Sequence, residues 1–339
     1  IHAGVNGSLE AEGYASLKHV ALLLPMNAQL AGVSQSISDG FFAAYFADDA
    51  ARRPEVRVYD AGKTPAESIA VYNKAVADGA DHVVGPLQRE SVGELFHQSL
   101  SARVLALNHS DTGEVPPAGS AEFGLLPDAE GAQVAEHMHE RGITRAAVFA
   151  ATSDWAERAA RAFRAQFEAS GGSVTGEARL GDKEINYATA IAQAAGSLGV
   201  GAETGVFTTM RPQQARLLLP QLKAANVNAP VFATSHVYAG DNNFSLDRDL
   251  DGVEFCDAPW LFAPVPGRPE RGQIASQIAS ANGVGARLFA FGMDAYTLLP
   301  YLDWLLAHPD AYLSGATGDL TADAFGRIHR VMGWARFRN

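Results

Sequence analysis

The chain has 339 residues, of which 47% are apolar and 19% charged, and its formal net charge is -12. This length and composition favour two globular domains with sizeable cores. An acidic chain without a basic stripe argues against nucleic acids and anionic membrane surfaces as partners. One cysteine, Cys256, excludes an intramolecular disulfide and a cysteine-cluster metal site.

Residues 1–17 contain three glycines and few large apolar side chains, and they are interpreted as a tag or linker. No signal-peptide pattern and no apolar run near ~18 residues is present in the given chain. We therefore expect a soluble chain, attached to a membrane only through a lipid anchor that this sequence does not contain.

Strands and helices alternate through the first third of the chain. The apolar run 19–24, ended by Pro25, is typical of a parallel strand covered on both faces. Gly79 stands where a helix C-cap glycine belongs. The further elements predicted here are helices at 37–45, 65–78 and 91–100 and strands at 55–59, 82–84 and 104–107. This alternation, with short connections, indicates right-handed βαβ units and a parallel sheet.

The pattern restarts after the Pro- and Gly-rich loop 112–121. Asp128 is predicted to be the N-cap of a helix, and Pro212 suits the first turn of another. The predicted strands are 146–150, 173–180, 205–209 and 230–234. The remaining elements are strands at 252–260, 312–320 and 331–338 and helices at 268–281 and 288–306. They are too few for a third core, so we expect them to complete the two earlier lobes through a hinge of several strands.

The sequence contains no P-loop, no G-x-S-x-G and no H-E-x-x-H pattern. His137 and His139 are two residues apart on a predicted helix, so their rings diverge and cannot share a metal. A hydrolase could be assembled from Ser110, His236 and Asp111, but such combinations arise by chance among ten histidines. We therefore predict no catalytic residue, no metal and no cofactor.

Small polar residues follow successive strands in both halves, where parallel strands end on one side of their sheet. If the two lobes face each other, these residues line one cleft. The predicted ligand-binding set is Asn27, Asp60, Gly85, Pro86, Leu87, Asn108, Ser110, Asp154, Thr209, Arg211 and Ser235. Gly85-Pro86 directly follows a short buried strand and is predicted to shape the cleft wall. Arg211 would bind a carboxylate through two hydrogen bonds.

Several runs together resemble the C-terminal domain of LppC/LpoA-type lipoproteins, in order from about residue 18 to the end. These runs are Leu22–Pro25, Val58–Asp60, Val84–Leu87, Leu105–Asn108, Phe123–Asp128, Asp251–Phe255, Met293–Ala295 and Leu313–Gly318. The resemblance implies an α/β chain of two Rossmann-like lobes with the periplasmic-binding-protein type I (Venus-flytrap) architecture. Lobe 1 is predicted to comprise 18–125 and 263–312, and lobe 2 to comprise 126–262 and 313–339.

The resemblance also implies a function. Members of this family are outer-membrane lipoproteins that face the periplasm and activate a bifunctional penicillin-binding protein, with no enzymatic activity of their own. The leading hypothesis is therefore a non-enzymatic regulator of peptidoglycan synthesis that docks on this synthase. The alternative is a periplasmic protein that binds a small molecule, an amino acid or a cell-wall fragment, in the cleft.

Overall fold

The computed structural model describes residues 3–4 and 13–338, which fold as two units. Unit 1 comprises Ile1–Leu125 and Ala258–Val331, and unit 2 comprises Leu126–Asp257 and Met332–Asn339. No helix in the described ranges is both long enough and apolar enough to cross a membrane.

The elements follow in chain order. Up to residue 125 they are β1 (Ala3–Gly4), β2 (His19–Leu24), α1 (Ala31–Ala47), β3 (Glu55–Asp60), α2 (Pro65–Ala77), β4 (His82–Val84), α3 (Arg89–Phe96), β5 (Arg103–Ala106) and β6 (Ala121–Glu122). Residues 126–257 form α4 (Pro127–Glu140), β7 (Arg145–Ala151), α5 (Asp154–Ala169), β8 (Ser173–Leu180), α6 (Ala188–Ala195), β9 (Thr204–Thr209), α7 (Pro212–Ala224), β10 (Val231–Ala233), α8 (Phe244–Asp247) and β11 (Glu254–Asp257). The last part forms α9 (Arg271–Ala275), α10 (Ala286–Leu298), α11 (Leu302–Ala307), β12 (Ala311–Ser314), β13 (Asp319–Ala322), β14 (Ile328–Val331) and β15 (Gly333–Arg336).

Unit 1 is built on a parallel sheet with the strand order β3-β2-β4-β5-β6. Five consecutive residues of β2, Val20 to Leu24, are buried, as expected of a central strand covered by helices on both faces. Tyr72 of α2 and Val92 and Leu95 of α3 pack on one face of this sheet. A second, four-stranded sheet in this unit has the order β1-β12-β13-β14.

Unit 2 contains a six-stranded sheet with the order β15-β11-β10-β9-β7-β8. All neighbours in this sheet are parallel except β15, which runs antiparallel to β11. Phe163 of α5 stacks on Phe207 of β9 with ring centroids 4.0 Å apart, in the centre of the core. This sheet order places the carboxyl ends of β10, β9 and β7 side by side.

The predicted lobe boundaries need correction near the C-terminus. The run 312–320, expected as one strand of lobe 2, is a hairpin of β12 and β13 in unit 1. The buried Asp294 carboxylate of α10 accepts hydrogen bonds from the backbone N–H groups of Ala316 and Thr317 at 2.7 and 2.8 Å, which fixes the reversal. Only β15, at the end of the chain, joins unit 2.

Residues 258–262, predicted to belong to lobe 2, also lie in unit 1. The fully buried Trp260 explains this, since its ring stacks on Phe289 at 5.4 Å and its backbone N–H donates to the Ala316 carbonyl at 3.1 Å. The interpretation of residues 1–17 as a linker is wrong where the structure describes them. Ala3–Gly4 pairs in parallel with β12, and the ring of Tyr14 packs edge-on against Tyr301. Residues 5–12 lie outside the described ranges.

Candidate functional site

The polar residues predicted in the first half follow strands that are neighbours in the sheet of unit 1. Asp60 ends β3, Gly85 follows β4, and Asn108 follows β5, so they lie along one sheet edge. The Asp60 carboxylate accepts hydrogen bonds from the N–H groups of Met26 and Gly62 at 3.1 and 3.0 Å. The carbonyl of Asn27 accepts from the N–H groups that begin α1. These groups hold the turns of this edge.

Gly85-Pro86 is a buried corner of the same edge. The peptide bond is cis, the φ of Gly85 is 109°, and a Cβ at this position would overlap the carbonyl oxygen of Leu23. The N–H of Gly85 donates to the Leu105 carbonyl at 2.9 Å, and the Pro86 carbonyl accepts from Leu107 N–H at 3.0 Å. The corner therefore has a structural role, and these backbone groups are already hydrogen-bonded.

Leu87 and Asn108 fasten two neighbouring loops together. The Asn108 amide donates to the Leu87 carbonyl at 3.0 Å, while its side-chain oxygen accepts from the N–H of His109 at 2.9 Å. Ser110 is buried, and its hydroxyl oxygen accepts from the backbone N–H of Glu114 at 2.8 Å. The Asn and Ser side chains predicted to hold a ligand thus hold the loop itself.

Sequence reasoning missed Glu122, which is only 1% exposed behind this loop. Its carboxylate accepts from Ser110 N–H at 3.3 Å and lies 3.4 Å from His109 Nδ1 and 3.6 Å from Arg327 Nε. Burial raises the pKa of Glu122, and the Ser110 hydrogen bond and the Arg327 charge offset that rise in part. Glu122 and Arg327 are distant in sequence, so no local pattern could pair them.

In unit 2 the predicted residues follow β9 and β10, and a tryptophan joins them after β7. The Trp155 ring stacks on the His236 ring with centroids 4.1 Å apart, and the Arg211 guanidinium lies over the Trp155 ring at 5.2 Å. The hydroxyls of Thr209 and Thr234 are 3.0 Å apart, and Thr234 Oγ1 lies 2.9 Å from His236 Nδ1. We call these five residues the Trp155 cluster.

Two other predicted residues of unit 2 are not part of the Trp155 cluster. Asp154 is exposed in the first turn of α5. Ser235 is buried, and its backbone N–H donates to the buried carboxylate of Glu130 at 2.8 Å. The prediction that both sheet edges line one cleft and bind a ligand there stays a prediction.

The structure corrects one detail of the second half. Helix α4 begins at Pro127 after Leu126, so Asp128 lies in the first turn and is not the N-cap. Its carboxylate pairs with Arg158 at 2.6 Å, and a negative charge in this turn favours the helix dipole.

Residues 9–339 match the sequence profile of a family described as "LppC putative lipoprotein". The chain belongs to this LppC family. A curated relative, the penicillin-binding protein activator LpoA of Photobacterium profundum, is 30% identical over 354 residues. That match covers 95% of this chain and 56% of the relative, so the chain spans about half the length of the curated LppC proteins it matches.

Solved structures show which fold the chain resembles. The LpoA C-domain from Haemophilus influenzae, described as a regulator of PBP1A, has a TM-score of 0.77 at 22% identity and covers 95% of this chain and 98% of that one. The leucine-binding protein LivK from Thermotoga maritima MSB8 has a TM-score of 0.59 at 14% identity, covering 95% and 96%. The predicted fold class, α/β and like that of periplasmic binding proteins, is confirmed.

Proposed function

We propose that this LppC-family chain is a non-enzymatic regulator of peptidoglycan synthesis that docks on a bifunctional penicillin-binding protein and activates it. The observation that carries the proposal is the extent of the match to proteins named penicillin-binding protein activators, which covers 95% of this chain. A C-domain described as a regulator of PBP1A is matched over 98% of its own length.

The local chemistry supports a role without catalysis. The polar groups at the sheet edge of unit 1 are engaged in holding its loops, and Ser110 accepts a backbone hydrogen bond there. Cys256 is fully buried, and a buried thiol is a poor nucleophile. Within residues 13–338, no group of three or more His, Cys, Asp or Glu side chains could hold a metal ion.

The family description also supports a location. Because the family is described as a lipoprotein, we propose that the protein faces the periplasm and is held at the outer membrane by a lipid anchor.

Docking requires an exposed surface, and each unit presents several large apolar side chains to solvent, among them one phenylalanine considered below. Phe325 of unit 1 is 58% exposed, on a turn held by the Asp323 carboxylate, which accepts from Phe325 N–H at 2.8 Å and Arg327 N–H at 3.0 Å. Phe244 of unit 2 is 69% exposed. Exposed aromatic side chains are common anchors of protein interfaces.

A binding measurement tests the docking proposal. We expect the immobilised chain to bind a purified bifunctional penicillin-binding protein from the same bacterium saturably, with micromolar affinity. The variants Phe325→Ser and Phe244→Ser localise the contact, because the anchor's loss weakens binding by about tenfold or more. Their melting temperatures should match that of the unmodified chain, since both side chains are exposed. Absence of saturable binding by the folded chain would contradict the proposal.

A further inference from the structure

Arg211, the N-cap of α7, carries a guanidinium that is placed by the protein but not neutralised by it. The side chain is exposed and its guanidinium carbon lies 5.2 Å from the centroid of the Trp155 ring. Among the residues that the structure describes, no carboxylate pairs with it and no acceptor hydrogen-bonds it. Two other arginines of unit 2 are paired, Arg216 with Asp247 at 2.7 Å and Arg179 with Glu157 at 2.8 Å.

The ring beneath Arg211 is itself held in place. Trp155 stacks on His236, and Thr234 Oγ1 lies 2.9 Å from Nδ1 of that imidazole. Thr234 in turn hydrogen-bonds the hydroxyl of Thr209, and both threonines are fully buried. This buried hydroxyl chain fixes the His236 ring, the ring supports the indole, and the indole positions the guanidinium by a cation–π contact.

The position of the Trp155 cluster in the sheet also favours a ligand. Trp155 follows β7, Thr209 and Arg211 lie at the end of β9, and Thr234 follows β10, and these three strands are neighbours. Ligands of open α/β sheets bind beyond the carboxyl ends of the strands. Helix α7 begins at this edge with no acidic residue in its first turn, and the partial positive charge of a helix N-terminus favours an anion.

We propose that unit 2 binds a small ligand bearing a carboxylate at the Trp155 cluster. The planar fork of Arg211 would bind the two carboxylate oxygens through paired N–H donors. The edge of the indole would lie beside the carbon skeleton of the ligand. A free carboxylate ion, an amino acid and the carboxyl terminus of a peptide share this chemistry. The proposal is independent of docking on a synthase.

The test is a titration of the isotope-labelled chain, followed by NMR at the Trp155 indole N–H and at the backbone amides of residues 209–211. The probes are N-acetylglycine, which imitates a peptide terminus, glycine, which is a free amino acid, acetate, and N-acetylglycinamide, which lacks the carboxylate. We expect saturable shifts with at least one of the three carboxylates. The carboxylate that binds most tightly identifies the kind of ligand: a free carboxylate ion, an amino acid or a peptide terminus. The amide should cause no such shifts.

Substitutions at Arg211 then separate recognition from general charge. Arg211→Gln should weaken binding of the most tightly bound probe by about tenfold or more. The affinity of Arg211→Lys should lie between those of the unmodified chain and Arg211→Gln, because a lysine keeps the charge but loses the planar fork of donors. Arg338→Gln removes another exposed arginine of unit 2 and should bind like the unmodified chain. The proposal is overturned if no carboxylate gives saturable shifts, if the amide binds equally, or if Arg211→Gln leaves binding unchanged.

Discussion

At the scale of the residue, Gly85 occupies a backbone conformation that only glycine fits. Its φ is 109°, and an added Cβ would overlap the carbonyl oxygen of Leu23 on the neighbouring strand. Gly79 is a matched control because its φ is 105° and a Cβ there would meet no atom within 4 Å. The two positions therefore separate the cost of the backbone angle from the cost of the overlap.

We expect Gly85→Ala to destabilise unit 1 by about 3 kcal/mol and Gly79→Ala by about 1 kcal/mol. For a unit of this size, these losses lower the melting temperature by about 6–12 °C and about 2–4 °C respectively. Differential scanning calorimetry of the two variants measures both shifts. Equal shifts would show that the approach to Leu23 contributes nothing.

The sequence identified polar residues at the strand ends, but it did not predict most of the contacts that these residues make. The Gly85-Pro86 pair predicted a turn, because the conformational preferences of glycine and proline act locally. The sequence did not predict the stacking of Trp155 on His236, which was considered as part of a chance hydrolase arrangement. Their contact depends on the pairing of distant strands, which no spacing in the sequence reveals.

At the scale of the element, α2 and α9 show why one predicted helix matches the structure and another does not. Helix α2 closely follows the predicted bounds 65–78: in the structure Thr64 caps it, Glu67 completes the capping box, and Gly79 follows its end. The helix predicted at 268–281 is only α9, Arg271–Ala275, followed by the single 3₁₀ turn Ala279–Ala281. There the hydroxyl of Ser276 bonds the Gln273 carbonyl and competes with the helical pattern.

Glu254 of β11 joins two other elements of unit 2. Its carboxylate binds His137 at 2.9 Å and Arg141 at 2.8 Å, both near the end of α4, and Arg336 of β15 at 2.8 Å. Burial alone would raise the pKa of Glu254, but the hydrogen bonds from Arg141 and His137 and the charges of the two arginines lower it below the ordinary value of 4.5. A lowered pKa means that the folded unit favours the ionised carboxylate.

This contribution to stability is present above the unfolded pKa and is lost as the pH falls through the lower, folded value. We expect Glu254→Gln to destabilise unit 2 by about 1–2 kcal/mol at pH 7, since the two arginines are half-exposed and screened. Melting curves from pH 7 to pH 3 should show the difference shrinking below the ordinary value of 4.5. Glu168→Gln, in a surface pair with Arg164, should change stability little at any pH.

At the scale of the whole molecule, the two-fold repetition of the βαβ pattern was sufficient to predict two α/β units. Repetition is visible because each unit buries its own sheet and so repeats the same hydrophobic period. It could not assign the last strands, since β12 to β14 return to unit 1 through contacts with Asp294 and Trp260. The function came from the family resemblance, because no residue pattern in the chain specifies a reaction.

The most direct test of the central claim measures a rate. A purified bifunctional penicillin-binding protein is assayed for glycan polymerisation and for peptide cross-linking with increasing amounts of this chain, and with the heat-unfolded chain as control. We expect the folded chain to raise at least one of the two rates until the synthase is saturated, and the unfolded chain to raise neither. Rates that stay constant up to a saturating excess of folded chain would contradict the central claim.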